Sequence, residues 1–279
     1  MTVQVPHTFS IDVEDWFQVF YGESIIDRAS WPKLESKIAH MVDSCLSILE
    51  ETNTKTTFFF VGWISEFHPE LVRKVERAGH EIACHSYWHK QVFKQTPTEF
   101  KEDTLRAKKV IEDTIGRGVA GYRAPGYSIL KSTPWAIDII EEAEFIYDSS
   151  LLFLNPAQPK LIKNNLIEIP PNSLSFGDRF LPVNGGFVFR SLPYWAYALY
   201  LKILKQKNTP LNFYTHSWEI YSDYPRIPMT GKKKFIQYYN IASCQQKLSR
   251  LLKDMKFSPL IEVAKAYSSQ ALKSSSMGL

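Results

Sequence analysis

Two histidines and three acids, set at two points of the chain, have the types and spacing to do chemistry. His85 and His89 close the stretch Gly79-His80-Glu81-Ile82-Ala83-Cys84-His85-Ser86-Tyr87-Trp88-His89, in which Glu81 to Cys84 reads as a short apolar strand. A helical turn after Cys84 would put both imidazoles on one face, one turn apart, where they can reach a single metal ion. No four-ligand site closes locally, because Cys84 would point away from His85 on a strand, so a third ligand must come from elsewhere. The N-terminal segment offers one. Phe9, Ile11 and Val13 alternate with Ser10, Asp12 and Glu14, a strand pattern that runs straight into Glu14-Asp15-Trp16. Three carboxylates so close together repel one another unless a cation offsets them, and the apolar residues around them argue against a solvated turn. The two stretches together predict an open site for one divalent cation.

The elements that must position these residues follow from the hydrophobic periodicity. Helices are expected over 32–51, from Pro69 to a stop at Gly79, from a Thr96 or Thr98 cap to Ile115, and from a Ser132 cap to Ala143. Further helices are expected over 192–205 and through most of 232–255. Strands are expected at 7–13, 56–61, 81–84, 121–124, 145–148, 166–169 and 211–214, with a Gly/Pro-rich loop over 170–186. Seven strands separated by helices argue for an α/β fold with parallel strands, of a length suited to a (β/α) barrel. In such barrels the reactive groups sit at the C-terminal ends of strands. Those ends carry Asp12, Glu14 and Asp15, then His85 and His89, Arg123, Asp148 and His216. A purely structural scaffold has no need of charged groups at five strand ends.

Composition bounds the rest. A chain of 279 residues that is 44% hydrophobic suits one domain with a sizeable core, read as residues 1–267 with a C-terminal helical extension, followed by a flexible tail over 268–279. The net charge of +4 gives no field for nucleic acid, and the Lys232-Lys233-Lys234 run reads as a solvated helix start. Three cysteines, Cys45, Cys84 and Cys244, are odd in number and read as buried thiols in a reducing compartment. Residues 1–7 have neither a basic nor an apolar leader region, so a cytoplasmic location is expected. Residues 194–204 form the most lipid-like stretch, too short to span a membrane, and read as an amphipathic core helix.

At these residues the chain resembles the polysaccharide deacetylase (NodB-homology) family of metal-dependent carbohydrate de-N-acetylases, with the motifs in chain order from Thr8 to His216. Ser10-Ile11-Asp12-Val13-Glu14-Asp15 is similar to the family's acid-ended strand, Gly79 to His89 to its histidine pair, and Arg123-Ala124-Pro125 to its Arg-x-Pro element. Asp148 stands where the fourth motif centres on an Asp, and Leu211 to His216 is similar to the apolar strand ending in His. The Asp-Val-Glu-Asp-Trp form, the Gly-Gly-Phe at 185–187 and the His-Ser-Trp-Glu ending resemble the branch found with bacterial exopolysaccharide export and exosortase systems.

The resemblance implies a distorted (β/α)7 barrel that hydrolyses the N-acetyl amide of a sugar in an oligo- or polysaccharide. It implies one divalent ion, most simply Zn2+, on His85, His89 and either Glu14 or Asp15. Asp12 would act as base with Arg123 as its partner, and His216 as acid with Asp148 holding its ring. Trp16, Trp88, Tyr127 and Trp218 are candidates to stack on sugar rings. Two departures are visible: Val13 and Glu14 separate Asp12 from Asp15, where the family has adjacent aspartates, and Asp148 is followed by Ser149 rather than Trp. The rival readings are hydrolysis of a small cyclic amide such as allantoin, and a non-catalytic carbohydrate-binding relative. The acids and histidines that such a relative would lose are all present.

Overall fold

The computed structural model of the protein describes residues 5–154, 158–176 and 179–276. Its first half alternates strand and helix: β1 (Thr8–Val13), α1 (Ile38–Glu51), β2 (Thr57–Phe60), α2 (Gly62–Phe67), α3 (Pro69–Arg77), β3 (Glu81–Cys84), α4 (Pro97–Ile115), β4 (Gly121–Tyr122) and α5 (Trp135–Glu142). Short strands follow, β5 (Tyr147–Asp148), β6 (Lys160–Leu161), β7 (Ile167–Glu168), β8 (Ser173–Phe176) and β9 (Arg179–Pro182). The chain ends with α6 (Gly186–Ser191), α7 (Tyr194–Gln206), β10 (Asn212–His216), α8 (Ser217–Ile220), α9 (Gly231–Tyr238), α10 (Cys244–Asp254) and α11 (Leu260–Ser276).

Eight strands form one curled sheet in the order β10-β1-β2-β3-β4-β5-β7-β6, parallel throughout except for the β6–β7 pair. The seven parallel strands, with helices outside them, make the expected distorted (β/α)7 barrel. β1 is buried along its whole length, as a strand covered on both faces must be. Phe9, Ile11 and Val13 pack in the layer between sheet and helices, together with Phe58, Phe60 and Ile82. Phe59, Ala83, Tyr147 and Ile167 fill the inside of the curl against Leu260, Val263 and Ala264 of α11. That helix plugs the end away from the reactive residues: the Leu260 and Ile261 N–H groups donate to Thr57 Oγ1 and Glu81 Oε2, at the first residues of β2 and β3.

Several local expectations are corrected. Residues 85–89 are a loop and not a helical turn; Ser86 and His89 adopt left-handed backbone angles, φ 63° and 52°. Tertiary hydrogen bonds hold that shape: Asp103 accepts from the Tyr87 and Trp88 N–H groups, and Ser86 Oγ accepts from His89 N–H. The helix expected from Pro32 starts only at Ile38, because Trp16 and Asp15 bind residues 35–37 outside any helix. The loop expected over 170–186 contains the antiparallel β8–β9 hairpin. Where a flexible tail was expected from residue 268, α11 continues to Ser276, and residues 277–279 lie outside the described ones. The three cysteines are buried free thiols.

Candidate active site

The site is built on the β1–β10 pair, whose register sets Asp12 directly beside His216. Glu14 follows two positions after Asp12 and so returns to the same face. Its backbone is clamped to the other strand end: Ser217 Oγ donates to Glu14 O at 2.7 Å and accepts from Glu14 N–H at 3.1 Å. Opposite, the β3 loop presents His85 and His89 with ring centroids 5.1 Å apart. Glu14 Oε1 lies 2.9 Å from His89 Nε2, 3.5 Å from His85 Nε2 and 3.8 Å from His216 Nε2. Burial alone would raise the Glu14 carboxyl, but His89, His216 and His85 more than offset it and hold it well below the usual carboxylate range.

These residues fit a divalent cation. Nδ1 of His85 meets the Arg123 carbonyl at 2.7 Å, which fixes the proton there and leaves Nε2 as a lone-pair donor. Neither His85 Nε2 nor His89 Nε2 has a hydrogen-bond partner of acceptable geometry although both are buried, so the 2.9 Å approach of Glu14 to His89 is close but misaligned. One carboxylate oxygen and two imidazole nitrogens, all within 4.8 Å of one another, are the donor set of an open metal site. Asp15 is not brought to it. Its carboxylate turns outward to accept from Ser36 Oγ at 2.5 Å and from the Trp16 and Lys37 N–H groups, and it serves the start of α1.

Arg123 links the two halves of the site. Its Nη1 donates to Asp12 Oδ1 and to Ser10 Oγ, both at 2.7 Å, while its Nε and Nη2 donate to the backbone and hydroxyl oxygens of Ser149. The guanidinium also lies 4.1 Å above the Phe59 ring. Asp12 is thereby fixed through one oxygen.

His216 finds a different partner from the one expected. Its Nδ1 is 2.9 Å from Glu219 Oε2, and Glu219 Oε1 accepts from Arg190 Nε at 2.5 Å. Arg190 in turn donates to the Tyr239 and Ile236 carbonyls. Burial alone would lower the His216 imidazole, yet the Glu14 and Glu219 carboxylates raise it to about 9. Glu219 is itself held down to about 2, with Arg190 and His216 outweighing its burial. Asp148 does not reach His216. It accepts from Ser150 Oγ and stands across from Glu168 in the β5–β7 register, where burial pushes both carboxyls up and their mutual repulsion adds to the push on Glu168. Glu219 and Arg190 were missed as site residues. The one signal in the sequence was the spacing of His216 and Glu219, which a helix start turns into a capping box.

A cleft of about 450 Å³ opens over these groups, lined by Asp12, Glu14, His216 and Glu219 and walled by Tyr127, Tyr214, Trp218, Phe187 and Leu181. Trp218 stacks on His216 at 4.8 Å, and its Nε1 donates to Glu14 Oε2. Trp16 and Trp88 are not brought to the cleft. Trp16 is buried against Phe17 with its Nε1 on Glu35 O, and Trp88 packs against Trp31 and Tyr87. His80 has a structural place, accepting from Thr56 N–H while burial lowers its imidazole to about 4.

With this geometry, the comparisons with known proteins decide the family. The "Polysaccharide deacetylase" model matches residues 34–143, and a "Domain of unknown function (DUF3473)" matches residues 152–265. The matched part of the chain, residues 34–143, belongs to the polysaccharide deacetylase family. A peptidoglycan deacetylase of Helicobacter pylori is 23% identical over 155 residues, 54% of this chain and 51% of that one. A peptidoglycan-N-acetylglucosamine deacetylase of Bacillus cereus is 28% identical over 94 residues, 33% of this chain and 34% of that one. The chain thus spans about half or less of the length of these curated relatives. Among solved structures, one from Mycobacterium smegmatis assigned to the polysaccharide deacetylases superposes with TM-score 0.65 at 21% identity, covering 96% of this chain and 91% of that one. The PuuE allantoinase also reaches TM-score 0.65, at 14% identity over 95% of this chain and 91% of that one, which speaks for the shared fold alone.

Proposed function

We propose that this protein is a metal-dependent hydrolase that removes N-acetyl groups from amino sugars of a bacterial exopolysaccharide or its oligosaccharide precursor. One observation carries the reading. Glu14 belongs both to the Glu14–His85–His89 donor set and to a group with Asp12, fixed by Arg123, and His216, fixed by Glu219, and Glu14, Asp12 and His216 line one cleft. The ion bound there, Zn2+ being the simplest choice, would supply Lewis acidity, polarising the amide carbonyl and making water acidic enough to lose a proton near neutral pH.

The chain's own residues complete the reaction. Asp12, held through Oδ1, keeps its other oxygen to take the proton of the attacking water. Arg123 keeps that carboxylate aimed. The ring of His216, charged through its Glu219 contact, turns Nε2 toward Glu14 and gives its proton to the departing amine as the C–N bond breaks. Trp218 and Tyr127 offer apolar walls on which a pyranose ring can lie. At about 450 Å³ the cleft is far roomier than a single small cyclic amide requires, which favours a sugar chain.

The test joins metal analysis to acetate release from an N-acetylglucosamine oligomer. Wild-type protein should hold stoichiometric metal and release acetate, and a chelator should stop the release. Glu14→Gln should lose metal and activity together, whereas Asp15→Asn should keep the metal. Full metal occupancy in Glu14→Gln overturns the site. Hydrolysis of allantoin without acetate release from sugars overturns the substrate class.

A further inference from the structure

α7 packs one face on the core, with Tyr197 and Leu204 buried and Tyr194, Tyr200 and Leu201 against them, but its other face is uncovered and also apolar. Leu192 just before it, and Trp195, Leu199 and Ile203 along it, are all exposed; Trp195, at 69%, is the most exposed large apolar side chain among the described residues. Positions four apart on a helix share one face, so Trp195, Leu199 and Ile203 form a continuous outward stripe. A lone exposed leucine needs no explanation, but a stripe that includes a bare tryptophan marks a contact surface.

The charges around the stripe say what it contacts. Lys202, Lys205 and Lys207 are exposed at its C-terminal end, and no acid occurs between Asp178 and Glu219. At its N-terminal end Tyr194 lines an open groove of about 660 Å³ together with Lys247, Arg250 and Lys253 of α10. The Arg250 guanidinium lies 4.2 Å over the Tyr194 ring, and Lys247 Nζ is tied to the carbonyls of Arg190 and Leu192 at the start of the stripe. The groove also holds Glu51 and Asp254, the latter accepting from the Tyr194 hydroxyl at 2.6 Å and lying 3.8 Å from Arg250 Nε, so its three cations outnumber its acids by one. The surface is therefore apolar along its middle and cationic at both ends. A second copy packed by a two-fold axis would bring these cations toward their own copies, which is repulsive. An anionic bilayer surface complements both parts: it takes the tryptophan and aliphatic side chains into the headgroup boundary and pairs the lysines with lipid phosphates. At thirteen residues α7 lies on a membrane and cannot cross one.

We propose that the Leu192–Trp195–Leu199–Ile203 face, with its flanking lysines, seats this protein on an anionic lipid bilayer with α7 in the interface plane. The proposal is independent of the hydrolytic reading, because none of these side chains lines the catalytic cleft. It is tested by co-sedimentation of the full chain with vesicles of phosphatidylcholine alone and of phosphatidylcholine mixed with phosphatidylglycerol. The protein should pellet with the mixed vesicles, and raised salt should weaken the binding. Trp195→Gln/Leu199→Gln should abolish it, and Lys202→Gln/Lys205→Gln/Lys207→Gln should weaken it by about fivefold per lysine. Unchanged thermal unfolding of both variants shows that they fold. Failure of folded wild-type protein to pellet with mixed vesicles overturns the proposal, as does binding that the Trp195/Leu199 pair does not affect. A wild-type dimer in light scattering that becomes monomeric in that double variant also overturns it, by making a second copy the occupant.

Discussion

In the proposed reaction His216 must be charged when the bond breaks and must hold its ring still, and both requirements fall on Glu219. The carboxylate fixes Nδ1 at 2.9 Å and is fixed in turn by Arg190. It also remains as the charge partner when Glu14 is engaged by a cation. The sign follows directly. Burial would lower the His216 imidazole but carboxylates outweigh it and raise it, so activity that needs its proton persists below the raised value and fails above it. Glu219→Gln preserves the shape and removes the charge, so the alkaline limb of kcat/KM should move down by about one to three pH units. Asp148→Asn should leave that limb in place, since Asp148 is bonded to Ser150 and faces Glu168. Profiles of the two variants on fully metallated protein check this, and the opposite pattern would return the role to Asp148. The sequence offered both acids near His216, one three residues on and one on another strand end. Only the folded strand ends distinguish them, because strand-end position alone does not say which way a carboxylate turns.

Among elements, the strands that carry the acids were legible and the loop that carries the histidines was not. β1 alternates so cleanly that its span and the common face of Asp12 and Glu14 follow from side-chain period alone. The 85–89 loop depends on Asp103 of α4, remote in sequence, and on left-handed angles at Ser86 and His89, neither of them a glycine that would announce the turn. Gly185, by contrast, is readable once β10 is in place. It bridges Tyr214, and a Cβ there would lie 2.0 Å from Tyr214 O, so only glycine lets the start of α6 approach β10. Gly185→Ala should push α6 outward and carry Arg190 away from Glu219. The expected outcome is a loss of about 1–3 kcal/mol in stability together with reduced turnover at unchanged metal content. Denaturant midpoints and metal analysis measure both, and wild-type turnover in a folded Gly185→Ala protein would contradict the account.

At the scale of the whole molecule, the α/β alternation gave the barrel, while the return of β10 to the edge of the sheet beside β1 had to be seen. Stability should carry the mark of the buried Asp148–Glu168 pair. Burial holds both carboxyls above their unfolded values, with Asp148 adding to the rise of Glu168, so they favour the folded state at low pH and cost stability as pH rises through the raised folded values. Glu168→Gln keeps an acceptor for the Ser150 and Leu151 N–H groups and removes the second charge. Its unfolding free energy should therefore fall less than that of wild type between mildly acidic and mildly alkaline pH, as denaturant titrations across that range can show. Parallel slopes for the two proteins would mean that the pair does not hold its proton in the folded state.

The Asp12–His216 register has a consequence for how the protein comes to exist. It joins residues that stand some two hundred positions apart in the chain, and the segment matched as a polysaccharide deacetylase, 34–143, contains His85, His89 and Arg123 but neither Asp12, Glu14 nor His216. During synthesis the acid-bearing strand emerges early and must wait, one edge unpaired, for the last strand of the sheet. Pairings of such sequence separation form late and slowly. No nascent or truncated chain short of β10 can then assemble the proposed proton donor beside the proposed base, so the proposed activity would arrive only with the completed sheet, and turnover would double as a readout of the finished fold.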